Sequence, residues 1–481
     1  MDRRHFLKSS LLTSLGLSLG PAARAVRAQS ASQAPGPTLV VLNLLGGPDF
    51  RHIFTPRYDP SDLYSETFWR AKARSHSLDP ADTAGLSARA ESYLVPADEA
   101  HQSFGIHPDC GWLASMFDQG NVAIINNVYG STNRDHVHST LILESGNPDS
   151  GPRDNQQSGW AGRLAHACDR NIVSVSNFVR PVCYGPSALN PLGHDNSRVI
   201  GASDSRNMGL YEFGGGLYEF DDGTSDWQAD RRGYMSRALT NYYAAKTGTL
   251  PIGSPYLHLL QSEASLRTFG ARMKALLSDS LEASVLPDDI VGLYGEASPT
   301  RLNSLPFGLQ IRNIYDIINA REVLEANVIS AEYGGWDHHR TMRELIEPAL
   351  SDIFGDDRGL STLYSALPAE ATSDIILVVY GEFGRQLTAN GDDGVDHGVG
   401  NSMLVIGNRV QGGVYGDMFP MSEVTEGRYD EPGADIAGLT SFHQVLGRVC
   451  EAIKPGSAQS VLPGWSATDL ESGLELSQLF G

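Results

Sequence analysis

Basic residues are in short supply. The 481-residue chain has 36 Lys and Arg against 57 Asp and Glu, a formal charge of -21. A field of that sign repels nucleic acid and anionic lipid at long range, so neither is expected as a partner. Cysteine is scarce as well. Cys110, Cys168, Cys183 and Cys450 are the only four, and none has the CxxC spacing of a cysteine zinc site. Cys168 and Cys183 either pair in an oxidising compartment or stay as buried thiols. The apolar stretch at residues 11–20 is too short to cross a bilayer, and no stable membrane anchor is expected. No internal repeat is present. With 41% hydrophobic residues the chain can nevertheless bury a large core, as one α/β domain or two.

What is there begins with an address. Arg3 and Arg4 precede Phe6, Leu7 and Lys8, then a short weakly apolar stretch, then Val26, Arg27 and Ala28 ahead of Gln29. Paired arginines, a short apolar region and small residues before a cut resemble a twin-arginine export signal, the alternative being a basic amphipathic helix. The expected layout is a signal at residues 1–28, a linker at 29–37 and an exported domain at 38–481, placed in the periplasm or secreted.

Beyond the linker, strand and helix signals alternate. The apolar run at 38–45, closed by Gly46 and Gly47, reads as a central parallel strand with Asp49 just beyond it. Further strands are expected at 122–125, 327–332, 374–380 and 402–406. Helices are expected at 110–119, 231–245, 256–277, 309–325 and 441–453. Alternation of this kind argues for a mostly parallel sheet with helices on both faces. Residues 190–223, which include three successive glycines, and residues 278–306 read as excursions from that plan.

Asp49, Asp337, His339, Asp396 and His397 each follow a strand-like run, and carboxylates and imidazoles together are metal ligands. Loops at the carboxyl ends of parallel strands converge on one crevice, so ligands far apart in sequence can share a site. In extended backbone Asp337 and His339 face the same way, while His338 points elsewhere. Gly394 and Gly398 would let Asp396 and His397 converge. Blander readings are a capping Asp337 with a solvated His339, an Asx-type turn at Asp396 and an ordinary turn at Asp49. Glu382 and Arg385, three apart after a strand, form either a salt bridge that fixes the turn or an anion clamp by Arg385. His107, before Pro108, reads as a packing or helix-entry residue, and His443 as a partly buried structural histidine.

These motifs resemble the exported domain of unknown function 1501 family, within the alkaline phosphatase and sulfatase superfamily. The resemblance runs from Gly46-Gly47-x-Asp49 through Ile106-His107-Pro108, Gly335-Trp336-Asp337-x-His339, Gly381-Glu382-Phe383-Gly384-Arg385 and Asp396-His397-Gly398 to Gly412-Gly413-Val414-Tyr415-Gly416. It implies an alkaline phosphatase-like three-layer sandwich. It also implies one or two divalent ions of zinc, manganese, calcium or magnesium, with Asp49, Asp396 and His397 at one and Asp337 and His339 at a second. His136, which matches the family, is the better ligand candidate of His136 and His138. Where the family usually has Arg-Ser-His-Phe this chain has Arg134-Asp135-His136-Val137, so the serine nucleophile is replaced by Asp135. Asp135 is then a ligand or base, with Ser131, Thr132 and Ser139 as substitute nucleophiles. No sulfatase-type Cys-x-Pro-x-Arg occurs.

The expected activity is hydrolysis of a phospho- or sulfoester, on a small molecule or polysaccharide, by metal-activated water, with Asp135, His136 and Arg385 as catalytic candidates. Three carboxylates against two dications leave such a site about one unit positive, or neutral if Asp135 also binds. The alternative is a non-catalytic periplasmic binding or envelope-assembly protein that keeps the fold and a structural metal.

Overall fold

The computed structural model describes residues 36–131, 133–152, 154, 157–187, 194–196, 198–203, 205, 305–420, 429, 431–466 and 476–481. The expected signal at 1–28, the helices at 231–245 and 256–277, and most of both excursions lie outside these residues. The architecture is mixed α/β around a largely parallel sheet. Its strands are β1 (Thr38–Leu45), β2 (Val122–Tyr129), β3 (Asn171–Ser174), β4 (Val199–Gly201), β5 (Ala326–Gly334) and β6 (Ile375–Tyr380). A separate two-stranded ribbon, β7 (Arg385–Ala389) with β8 (Val395–His397), follows, and β9 (Asn401–Ile406), β10 (Gly413–Tyr415) and β11 (Thr440–Ser441) complete the sheet. The spatial order is β10-β2-β9-β6-β1-β5-β3-β4, with β11 also paired to β2.

β1 is central because both its faces are apolar. Leu39 and Val41 join one core, Val40, Leu42 and Leu44 the other, and all five are at most 1% exposed. Burial of each such side chain stabilises the fold by about 1.5–3 kcal/mol. One core is covered by α2 (Gly111–Asp118), α5 (Phe307–Asn319) and α6 (Met342–Phe354). The other is covered by α3 (His136–Ser145), α4 (Trp160–Ala167) and α7 (Phe442–Ile453). Among the described residues no helix is long and apolar enough to cross a membrane.

Two boundaries differ from expectation for local reasons. β2 runs on through Asn126 and Asn127, which look like a turn in sequence, because Asn126 Oδ1 accepts from Ser402 Oγ at 2.9 Å and Asn127 Nδ2 donates to the Asp417 carbonyl. α5 ends at Asn319, where the chain turns back into β5 by way of Glu325 at a φ of 48°. The four cysteines are all free thiols, so Cys168 and Cys183 do not pair.

Strand direction places the site. β1 is parallel to β5 and β6, with Leu45 beside Gly334 and Asn43 beside Tyr380, so three carboxyl ends share one edge. β9 is antiparallel to β6 and begins at that edge, and β2, antiparallel to β9, ends there with Val128 opposite Asn401. The segments after β1, β2, β5 and β6, and the β7-β8 ribbon before β9, are thereby brought together.

Candidate metal centre

Gly46 opens the site. Its φ of +118° suits glycine, and a Cβ there would stand 2.6 Å from the Asp337 amide nitrogen. That close approach brings the end of β1 against the loop after β5. Asp337 and His339 leave that loop on the same side, with His339 Nε2 2.9 Å from Asp337 Oδ1. From the ribbon, His397 Nε2 lies 3.1 Å from the same oxygen and 2.9 Å from His339 Nε2. His136, in the first turn of α3, puts Nε2 3.5 Å from Asp337 Oδ2. His136, Asp337 and His397 each offer a ligand atom within 4.8 Å of the others.

The other ring nitrogens have acceptors of their own. His339 Nδ1 is 2.9 Å from Asp396 Oδ1, His136 Nδ1 2.9 Å from Glu382 Oε1, and His397 Nδ1 2.8 Å from the Arg134 carbonyl. Carboxylates and carbonyls only accept, so each Nδ1 can donate to the group it faces, in the tautomer that leaves the Nε2 lone pair for an ion. Two such Nε2 atoms and a carboxylate oxygen within about 3 Å of one another repel unless a cation or shared protons sit between them. For ligand bonds near 2.0–2.1 Å, tetrahedral geometry sets ligand atoms about 3.3 Å apart, close to the separations here. Imidazoles and a carboxylate are the donors a divalent ion takes, with His136, Asp337 and His397 within reach of one position and His339 against Asp337 and His397.

Electrostatics agree with a centre that tolerates charge. Burial disfavours the Asp337 carboxylate, but hydrogen bonds from Arg385 and His397 and the charge of Arg385 hold its pKa below the usual range. Hydrogen bonding to Glu382 raises that of His136, whereas burial lowers that of His397. Asp396, also opposed by burial, is held low by Asn390 and His339.

Several expectations are corrected in detail. Asp49 does not join the cluster: it is 1% exposed, its Oδ2 is 2.6 Å from the Nζ of Lys72, itself 0% exposed, and its Oδ1 accepts from the Arg51 amide at 3.1 Å. Asp396 faces His339 Nδ1, on the side away from the converging nitrogens. Arg385 is no anion clamp. Its buried guanidinium donates to the carbonyls of Gly46, Gly47, Trp336 and Val395 and, at 2.8 Å, to Asp337 Oδ1. Its donors are committed to the chain itself, which pins three segments together. Glu382 receives the Gly46 amide at 2.9 Å and so orients both the β1 turn and His136.

Asp135 caps α3, accepting from the His138 amide at 2.9 Å. Ser139 is buried and donates to the Asn133 carbonyl, Ser131 Oγ accepts from the Asn133 amide at 3.0 Å, and Thr132 lies outside the described residues. His107 is buried beside Arg89, and His443 Nε2 donates to the Gly146 carbonyl at the end of α3, 2.6 Å away, as structural residues do. Sequence reasoning missed Lys72, the Arg134 carbonyl and Asn390, which donates to Asp396 Oδ1 at 3.1 Å and to the His339 carbonyl at 3.0 Å. It also missed Phe383, whose ring packs against those of His136 and His397. Only the Asn390-Gly391 turn carried a sequence signal.

Residues 258–428 match the family described as "Protein of unknown function (DUF1501)", which bears out the family resemblance and spans Asp337 to His397. No curated protein matches the chain.

Proposed function

We propose that this chain of the domain of unknown function 1501 family is an exported metal-dependent hydrolase with an alkaline phosphatase-like fold, acting on a phospho- or sulfoester. The observation that carries the reading is the gathering of the His136, His339 and His397 Nε2 atoms around the Asp337 carboxylate, each ring's Nδ1 facing an acceptor of its own. Side chains held in this way by carboxylates and a carbonyl are oriented before any ion arrives. Solvent access favours catalysis over a structural role, since structural sites are closed whereas Asp337 is 45% exposed. Imidazole-rich coordination favours zinc or a similar transition ion over calcium or magnesium. The export reading rests on the twin-arginine pattern at Arg3 and Arg4, and the ester class on the superfamily resemblance.

A divalent ion held there by His136, Asp337, His339 and His397 would supply Lewis acidity and would lower the pKa of water towards neutrality. With such an ion and Arg385 set against Asp337, Asp396 and Glu382, the charges balance, so an ester anion meets a neutral site rather than the negative field of the whole chain. Ser131 and Ser139 are committed to the loop that carries them, which supports attack by water. A water oxygen bonds to phosphorus or sulfur as the bond to the leaving alkoxide breaks. Asp135, exposed beside His136, takes the proton from water, and solvent returns one to the alcohol.

The test is a panel of phosphate and sulfate esters, assayed with the purified mature protein before and after chelation and metal return. Turnover that disappears on chelation and returns with the ion is expected. Asp135→Ala should lower kcat by about 10²–10⁴-fold, while Ser131→Ala, Thr132→Ala and Ser139→Ala each keep most activity. A phosphorylated or sulfated Ser or Thr trapped in this stretch would refute the water mechanism. If no ester turns over while the metal stays bound, the reading gives way to a non-catalytic binding protein.

A further inference from the structure

Asp49 follows the central strand at the same sheet edge as the centre, yet its charge is met from within the chain. Lys72, the last residue of the helix Leu63–Lys72, reaches in to place Nζ 2.6 Å from Asp49 Oδ2 and 3.1 Å from the Gln386 carbonyl. The two side chains are 0% and 1% exposed. Asp49 Oδ1 is used by the Arg51 amide. Two further buried cations stand nearby. Arg51 donates to the Gly400 carbonyl at 3.0 Å and to Asn127 Oδ1 at 3.2 Å, and Arg385 holds the adjacent turn at Gly47. Both act on Lys72 strongly enough to oppose its charge, which burial opposes most and Asp49 favours.

We propose that the metal centre is mononuclear by construction, with the Lys72 ammonium standing permanently where a second divalent cation would otherwise neutralise Asp49. This rests on the metal-dependent reading above. An ion entering at Asp49 would have to displace a fully buried ammonium and then sit among Arg51, Arg385 and the displaced Lys72, an arrangement that low dielectric makes repulsive. Lys72 also touches the ribbon that carries His397. Its bond to the Gln386 carbonyl sits next to Arg385, and the Gln386 side chain donates to the His397 carbonyl at 3.3 Å.

The experiment is elemental analysis of the purified mature protein after exhaustive dialysis against metal-free buffer, on wild type and three variants. One divalent ion per chain is expected in wild type. Asp49→Asn should keep it, while Asp337→Ala with His339→Ala should lose it. Asp49→Leu with Lys72→Met, which removes both charges together and guards against misfolding of the single variant, should also keep one ion. Two ions in wild type, falling to one in Asp49→Asn, would overturn this inference alone and leave the hydrolase reading standing. No ion in wild type would overturn both.

Discussion

At the residue scale, the strongest constraints are buried charges that have one partner each. Lys72→Met strands Asp49 in the interior and is expected to cost about 3–5 kcal/mol, whereas the double change with Asp49→Leu should cost much less. Urea unfolding of the two variants checks this, and equal losses would contradict the pairing. Asp396→Ala should behave differently, because Asp396 bears on the centre only through His339 Nδ1. It is expected to weaken metal affinity about 10–100-fold without abolishing binding, a difference that competition with a chromophoric chelator would read. His397→Ala in addition removes a converging nitrogen, so the double change should leave little metal. A second residue-scale prediction concerns acid. His52 and His76 are fully buried with rings stacked at 4.1 Å, and burial first, then neighbouring histidines and the cations Arg89, Lys72 and Arg343, push their pKa values well below 6.5. The unfolded chain therefore binds protons that the folded chain refuses, so stability falls as pH drops below about 6.5, by up to about 1.4 kcal/mol per pH unit for each histidine. Glu347, facing the same cluster, is opposed by burial but held down to about 2 by His107, Arg89 and Arg343, and contributes its own loss only below its unfolded value near 4.3. Between pH 6.5 and 4.5, His52→Phe should flatten the slope of stability by about one proton. An unchanged slope would contradict a neutral His52.

At the scale of elements, the loops around the centre are held by close backbone approaches. A Cβ on Gly394 would fall on the His339 backbone, so Gly394→Ala should drive the β7-β8 ribbon off the loop after β5. The expected result is loss of metal affinity with only a modest change in melting temperature. A variant that binds metal as wild type does would show that the ribbon is not what sets the ligand spacing. The strands were legible because runs such as residues 38–45 are apolar on both faces, which only a central strand requires. Asp337 and His339 were legible for a similar reason, since residues two apart on extended backbone must share a side. The pairing of Asp49 was not. Its partner comes from a helix 23 residues on, and nothing local distinguishes Lys72 from any other basic residue at a helix end. Arg385 stays open between two roles for the same cause, because a planar donor fork suits backbone carbonyls as well as an ester anion, and only tertiary structure decides between them.

At the scale of the whole molecule, one sheet edge collects the ends of β1, β2, β5 and β6 and the start of β9, and this topology makes one centre from residues 136 to 397. The chain's charge of -21 would repel an anionic substrate from most of its surface. With a neutral local balance at the centre, raising ionic strength should screen that repulsion and lower KM for an ester anion, with little change in kcat. A KM that rises with salt would instead indicate a positive site. The central claim, that three imidazoles and Asp337 hold one divalent ion, is tested most directly by X-ray absorption at the edge of the metal that copurifies. The account predicts a first shell of nitrogen and oxygen at about 2.0–2.2 Å with outer-shell scattering from three imidazole rings, reduced to two in His136→Ala. A shell of oxygen alone, or imidazole scattering unchanged in that variant, would contradict it.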